Sequence, residues 1–175
     1  MDRLLFRRAT AEDAQAITDL VNSAYRGETS RQGWTTEADL VDGLRTTPQE
    51  ITQLITAPDS FLLLCHQGSM LAGSVHVEKR GRQAYIGMFV VKPDIQGAGI
   101  GKRLLNEAEE LAEDGWGVNS FIMIVITVRR ELIEFYERRG YRLTGELSEF
   151  PVNPALWIPK ISGLKMEKME KVQRR

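Results

Sequence analysis

Apolar residues recur along this chain with two spacings, and the switches between them mark out its elements. Residues 3–8 read as a short first strand. Thr10 with Asp13 has the form of a helix capping pair, and Ala14, Ile17, Leu20, Val21 and Ala24 follow at helical spacing. Residues 26–35, RGETSRQGWT, form a polar loop around one tryptophan, and Thr36-Glu37 opens a second predicted helix through Leu40, Val41 and Leu44. Thr47 followed by Pro48 is a cap with proline at the first helical position, which predicts a third short helix to about Ile55. The spacing then changes. Phe61–Cys65, Leu71–Lys79 and Ala84–Val91 read as three strands with short connections, hence an antiparallel meander.

Beyond the meander comes a glycine-rich stretch, then Leu104, Leu105, Ala108, Leu111 and Ala112 on one helix face, with Glu107, Glu109, Glu110 and Glu113 off it and Asp114-Gly115 ending the helix. FIMIVITV, residues 121–128, is a continuous apolar run of the kind buried on both faces of a sheet. Strand, crossover helix and strand predict a right-handed parallel unit. A short helix over Glu131–Arg139, capped by Gly140, precedes two last strands over Tyr141–Gly145 and Gly163–Met169, with a charged tail at residues 166–175. The expectation is one α/β domain with a mixed sheet and no repeat or linker.

Composition narrows the function classes more than it names one. The chain has 175 residues, 42% hydrophobic and 27% charged, as suits one domain with a proper core. The 23 basic and 24 acidic residues give a net charge of −1, so nothing electrostatic points to nucleic acid or an anionic membrane. The one cysteine, Cys65, closes an apolar strand and reads as a buried, inert thiol; no intrachain disulfide is possible. No signal-like core or membrane-length apolar run is present, so the expected location is the cytoplasm. No Cys/His set has metal-ligand spacing, and no metal is expected.

The chemistry concentrates at residues 92–113, KPDIQGAGIGKRLLNEAEELAE, where Gly97, Gly99 and Gly101 alternate just before a helix. A dinucleotide fingerprint would need glycine at Lys102. A P-loop would need glycine at Gln96 and a hydroxyl residue at Arg103. What remains is a turn whose backbone N–H groups can bind an anion, phosphate above all, at a helix start. Lys102 and Arg103 lie in the first turn, where the helix dipole disfavours cations and a bound anion would compensate. A tight turn with solvated basic residues is the plain alternative.

Pro93 to Gly101 resembles the acetyl-coenzyme A signature of the GNAT superfamily of N-acetyltransferases, Arg/Gln-x-x-Gly-x-Gly/Ala, matched by Gln96, Gly99 and Gly101. The preceding Phe89-Val90-Val91-Lys92-Pro93 and the later Phe135-Tyr136-Glu137-Arg138-Arg139-Gly140-Tyr141 resemble two further landmarks of that family, in the right order. The resemblance spans about Leu5 to Lys168. It implies a mostly antiparallel sheet with a central splayed parallel pair flanked by helices. It implies acetyl-coenzyme A as co-substrate, with pyrophosphate on the amides of Gln96, Gly97, Ala98, Gly99, Ile100 and Gly101, near Lys102, and the pantetheine arm along Phe89, Val90 and Val91. An amine would attack the thioester directly, and a backbone N–H near Phe89–Val91 would face the oxyanion.

The same resemblance makes Tyr136 the general acid for the departing thiolate; by spacing alone it is a core aromatic of an amphipathic helix. Where many members carry asparagine, seven residues earlier, this chain has Arg129, followed by Arg130, either of which is free to reach a phosphate or the acceptor. His76, Glu78 and Tyr85 are candidate bases. Two segments would flank the acceptor mouth, Tyr25–Thr36 with Trp34 and Leu147–Lys160 with Phe150, Pro151, Pro154 and Trp157. Trp34, Glu78, Tyr85 and Trp157 are therefore the expected acceptor-binding residues. The expected partner is a small-molecule or peptide amine, and family members are often dimers. A non-catalytic acyl-coenzyme A binding module is the competing class.

Overall fold

The apolar runs assemble into one seven-stranded sheet with helices on both faces, in a computed structural model that describes residues 3–173. The first strand β1 (Leu4–Arg8) leads through a helical turn into α1 (Ala14–Tyr25). A single-turn α2 (Gly27–Ser30) and a short β2 (Val41–Gly43) come next, then α3 (Pro48–Thr56). The meander is β3 (Ser60–Gln67), β4 (Met70–Arg80) and β5 (Gln83–Val91). Then follow α4 (Ile100–Trp116), β6 (Ser120–Ile126), α5 (Arg130–Glu137), β7 (Arg142–Glu149), β8 (Trp157–Pro159) and β9 (Lys165–Val172). The strand order is β1-β3-β4-β5-β6-β9-β7; β5 and β6 run parallel and every other pair is antiparallel.

Alternation along β3 shows how the layers form. Phe61, Leu63 and Cys65 face the α4 side, packing with Leu104, Leu105 and Ala108. Leu62 and Leu64 face the other way, onto Ile17, Leu20 and Val21 of α1 and Ile51 of α3. Each strand residue thus buries its side chain against a helix, worth roughly 1.5–3 kcal/mol apiece. The Thr47 cap is realised, its hydroxyl accepting the Glu50 N–H at 3.2 Å.

Two irregularities shape the centre. Ser74 pairs with Val90 but His76 pairs with Gly87, so Met88 and Phe89 together oppose Val75 in a β-bulge, with Met88 at φ +41°. The bulge flips the strand's parity. Ala84 and Ile86 face the α4 side, Met88 and Val90 face α1, and Phe89 and Val91 turn back toward α4. Secondly, β5 pairs with β6 only at Gln83–Ser120, Ala84–Phe121 and Tyr85–Ile122. From Ile86 onward the two strands part, and the cleft between them opens toward the start of α4.

Several expectations need correction. Residues 36–44 are not a helix. Thr36 Oγ1 accepts the Ala38 N–H at 3.1 Å in a local turn, Gly43 lies at φ +98°, and Val41–Gly43 pairs with Trp157–Pro159 as a separate two-stranded clasp. Of the presumed apolar stripe only Val41 is fully buried, while Leu44 is 47% exposed. Gly43 is required where the clasp closes, since a Cβ there would lie 2.1 Å from the Leu156 carbonyl oxygen. The polar loop at 26–35 contains α2. Helix α4 runs past Gly115 to Trp116, with Gly117 in the left-handed region as its cap. Strand β6 ends at Ile126, and its Ile124 is exposed rather than buried.

The charged tail is also not a tail. Residues 165–172 form β9, an interior strand of the sheet between β6 and β7. Its charges are tolerated because they pair: Lys168 with Glu146, Lys165 with Glu149 and Lys171 with Glu109. Glu109, expected off the apolar face of its helix, is buried and accepts a hydrogen bond from the Tyr141 hydroxyl at 2.6 Å. Among the described residues no helix is long and apolar enough to cross a membrane.

Candidate active site

The parting of β5 and β6 produces two chambers that share one wall. The first, about 300 Å³, lies between the glycine loop and α5, lined by Phe89, Val91, Gln96, Gly97, Gly99, Ile100, Gly101 and Lys102 together with Trp34, Leu132, Phe135, Arg138 and Arg139. The second, about 150 Å³, lies on the α1 side of the cleft, lined by Tyr85, Met88, Met123, Tyr136, Phe150 and Trp157 among others. Tyr25, Phe89, Arg129 and Leu132 line both, so a molecule extending from one reaches the other at the bulge.

The first chamber is built to receive an anion. Gly97 (φ +89°) and Gly99 (φ +80°) hold left-handed backbone that other residues adopt only with strain, and a Cβ at either would point into open space. Gly99 is the N-cap of α4, and the amides of Gly97, Ala98, Gly99, Ile100, Gly101 and Lys102 find no acceptor in the protein among the described residues. Around them stand Lys102, Arg138 and Arg139. The Arg139 guanidinium lies 3.7 Å above the Phe135 ring, and its buried Nε has no hydrogen-bond partner. Six free amides, three cations and an orphaned guanidinium N–H fit a phosphate-bearing ligand with an apolar arm.

Gln96 does more than begin the loop. Its side-chain oxygen accepts the Trp34 N–H at 2.9 Å, while its amide nitrogen donates to Thr35 Oγ1 at 2.8 Å and to the Val91 carbonyl at 2.9 Å. One side chain therefore fixes the loop at 33–35 against the end of β5.

The second chamber is tyrosine- and arginine-rich. The Tyr25 hydroxyl donates to the Phe89 carbonyl at 2.9 Å, and burial pushes its phenol up to about 12. Tyr136 is 5% exposed, with its ring 6.2 Å from Phe89, 5.4 Å from Phe135 and 5.9 Å from Tyr141. Its hydroxyl has no hydrogen-bond partner among the described residues, and burial drives its phenol well above its ordinary range. Glu37 is gripped by two arginines, with Arg26 Nη1 2.5 Å from Oε2 and Arg129 Nη1 3.2 Å from Oε1. Arg129 also donates to the Thr35 carbonyl at 2.6 Å. Tyr85 lies over Gly87, where a Cβ would stand 2.6 Å from the Tyr85 ring, so glycine is needed there.

The residues singled out in the sequence fall into three groups. Phe89, Val91, Gln96, Gly97, Gly99, Ile100, Gly101 and Lys102 converge on the first chamber, and Tyr85, Tyr136 and Trp157 on the second. Val90 turns its side chain into the α1 core instead, and Ala98 lines the outer side of the loop. Three others are displaced from their expected sites. Trp34 lies in the first chamber, its ring centroid 5.6 Å from that of Phe135, and not on the acceptor side. Glu78 lines neither chamber, and its carboxylate is 3.5 Å from Arg80. Arg130 faces away from both.

His76 also lines neither chamber. It shares a 2.9 Å hydrogen bond with Ser60, and burial pulls it down to about 4. Cys65 is buried, and burial pushes its thiol up to about 11. Sequence reading missed Glu37, Arg26 and Arg45, which line the second chamber, and Arg139, which lines the first. Glu37 was assigned to a helix that does not form. Arg138 and Arg139 stood in plain view between Tyr136 and Gly140. Among the described residues no group of metal-ligating side chains is large enough to hold an ion.

Comparison with known proteins agrees with this arrangement. A family model described as an acetyltransferase (GNAT) domain matches residues 35–155. No curated protein matches the sequence. Among solved structures, the ribosomal-protein-S18-alanine N-acetyltransferase of Escherichia coli superposes with a TM-score of 0.73 at 12% identity, covering 99% of this chain and 96% of that one. The PaiA N-acetyltransferase of Thermoplasma acidophilum, solved in complex with coenzyme A, gives 0.69 at 18% identity, covering 97% and 99%. A GNAT-family acetyltransferase of Streptococcus pneumoniae gives 0.68 at 18% identity, also covering 97% and 99%. At such identities the likeness is one of fold.

Proposed function

This chain belongs to the GNAT acetyltransferase family and is an acetyl-coenzyme A-dependent acyltransferase, and on that premise we propose that it acetylates the primary amine of a small molecule or peptide by direct attack in a ternary complex. The observation that supports this reading best is the meeting of the two chambers at Phe89, where β5 and β6 separate. The acceptors named for its solved neighbours range from spermidine to a ribosomal-protein alanine, and they do not choose among acceptors for this chain.

Acetyl-coenzyme A supplies a thioester at which a carbon–nitrogen bond forms as the carbon–sulfur bond breaks, the amine giving up a proton and the sulfur ending as a free thiol. The residues of this chain divide the supporting work. The amides of Gly97 to Lys102, with Lys102, Arg138 and Arg139, bind phosphate, while Phe89, Val91 and Phe135 give the apolar arm its wall. The unpaired edge of β5 beyond Ile86 offers backbone N–H groups for a developing oxyanion. Tyr136 lines the second chamber and holds a proton on a hydroxyl that no other group among the described residues uses. Burial keeps that proton in place throughout the neutral range, as a general acid requires. Glu37 is the one carboxylate among the second chamber's lining residues and orients the ammonium group, whose proton passes to water.

Cofactor binding is tested by calorimetry and thermal shift. Coenzyme A should bind wild type and raise its Tm. Gly99→Val forces a β-branched residue to φ +80°, costing on the order of 1–2 kcal/mol, and should remain folded while losing the shift. Absence of coenzyme A binding to wild type sinks the reading.

A further inference from the structure

The second chamber carries more positive charge than its own residues neutralise. Its charged lining is Arg26, Arg45 and Arg129 against Glu37 alone, a formal excess of +2 in a space of about 150 Å³. Both Glu37 oxygens are already used, one by Arg26 and one by Arg129. Arg26 is 4% exposed on its side chain, and its Nε is buried without a partner. Arg45 has no ion pair or side-chain hydrogen bond among the described residues; its guanidinium rests 5.9 Å from the Tyr25 ring. Its backbone is nevertheless anchored. The Arg45 and Thr46 N–H groups both donate to Asn22 Oδ1, at 2.8 and 3.1 Å, and Asn22 Nδ2 donates back to the Thr46 carbonyl. An unpaired arginine on an anchored backbone, beside a second one incompletely paired, is an arrangement that an anion completes.

We propose that the acceptor is a small amine that also carries an anionic group, a carboxylate or its phosphonate equivalent, which Arg45 and Arg26 receive while the amine lies toward Glu37 and Phe89. The inference rests on the acetyltransferase reading and narrows its substrate class. A polycationic amine would meet three guanidinium groups for one carboxylate, a repulsive match. The modest volume and the aromatic wall of Tyr25, Tyr85, Phe150 and Trp157 favour a compact molecule over an extended chain. Charge-assisted hydrogen bonds to a carboxylate are the strong class, so removing the anion from the acceptor should be felt at least tenfold.

The experiment is thiol release from acetyl-coenzyme A with matched acceptors: free α-, β- and γ-amino acids, their carboxamides, aminomethylphosphonate and spermidine. The expected result is that the best carboxylate- or phosphonate-bearing amine exceeds its neutral counterpart by about tenfold or more in kcat/KM. Arg45→Gln should shrink that ratio to within about threefold, and Arg45→Lys should restore part of it. Carboxamides or spermidine turned over as well as the charged acceptors overturn the inference and leave the amine acetyltransferase standing. So does calorimetric binding of coenzyme A without turnover of any anionic amine in the panel. Failure of coenzyme A to bind at all is a different result, which overturns the underlying reading and this inference with it.

Discussion

Tyr136→Phe removes one oxygen atom and separates an acetyltransferase from a module that only binds acyl-coenzyme A. The stability cost follows from the site. The hydroxyl has no partner among the described residues, so no hydrogen bond of about 1 kcal/mol is lost, and the ring keeps its contacts with Phe89, Phe135 and Tyr141. At roughly 2–4 °C per kcal/mol for a chain of this size, Tm should move by less than about 2 °C. Coenzyme A affinity should also hold, because Tyr136 lines the second chamber and not the first. The rate is where the change belongs. A positioned acid contributes about 10²- to 10⁴-fold, and a thiolate of pKa ~8.5 leaves readily enough to favour the low end. A hundredfold loss corresponds to about 2.7 kcal/mol at the barrier. The assay is thiol release at saturating acetyl-coenzyme A and amine, with Tm and coenzyme A Kd measured on the same preparation. Full turnover in Tyr136→Phe refutes the assignment; a fall in Tm with preserved kcat returns Tyr136 to the core.

The two tryptophans should behave differently. Trp157→Ala should raise acceptor KM without changing coenzyme A affinity, whereas Trp34→Ala should weaken coenzyme A binding, both read by initial-rate kinetics and calorimetry. Loss of Arg139 in Arg139→Gln should weaken coenzyme A binding by about tenfold, since its cation, held by the Phe135 carbonyl at 2.9 Å, stands beside the free amides that a phosphate would occupy; unchanged calorimetry removes it from the site. Burial pulls His76 down to about 4, so the folded state prefers it neutral. Its contribution is complete above pH ~6.5 and is lost as pH falls toward 4, by on the order of 3 kcal/mol, and His76→Gln should flatten that acid limb in urea titrations.

What the sequence disclosed and what it hid have a physical division. The β3–β5 meander, α4 and the glycine turn were legible because their signals are local: alternation, a helical stripe, and residues suited to positive φ at Gly97 and Gly99. The same holds for Tyr136, whose neighbours in the chain carry its motif. Residues 36–44 misled because Leu40, Val41 and Leu44 imitate helical spacing while the segment's stability comes from pairing with Trp157–Pro159, over 100 residues away. β9 was cut short because its charges, read singly, suggest a solvated end; across the sheet they meet Glu146, Glu149 and Glu109. Glu37, Arg26 and Arg45 form a site only when three separate loops converge. The bulge at Met88, which decides which residues of β5 reach which chamber, left no mark in the pattern of apolar residues.

The clasp between β2 and β8 joins two segments that line the second chamber into a single plate rather than two independent loops. Val41 faces Pro159, Asp42 faces Ile158 and Gly43 faces Trp157, so the segment that carries Arg45 and the one that carries Trp157 are riveted together. An insertion or deletion in either shifts both walls at once, and any side chain at position 43 prises Leu156 away. On the proposed acceptor assignment, the choice of amine is therefore inherited as a pair of segments. Descendants of this chain that come to accept a different amine will have altered residues near 45 and near 157 in concert, and a graft of one segment without the other will not carry its preference along.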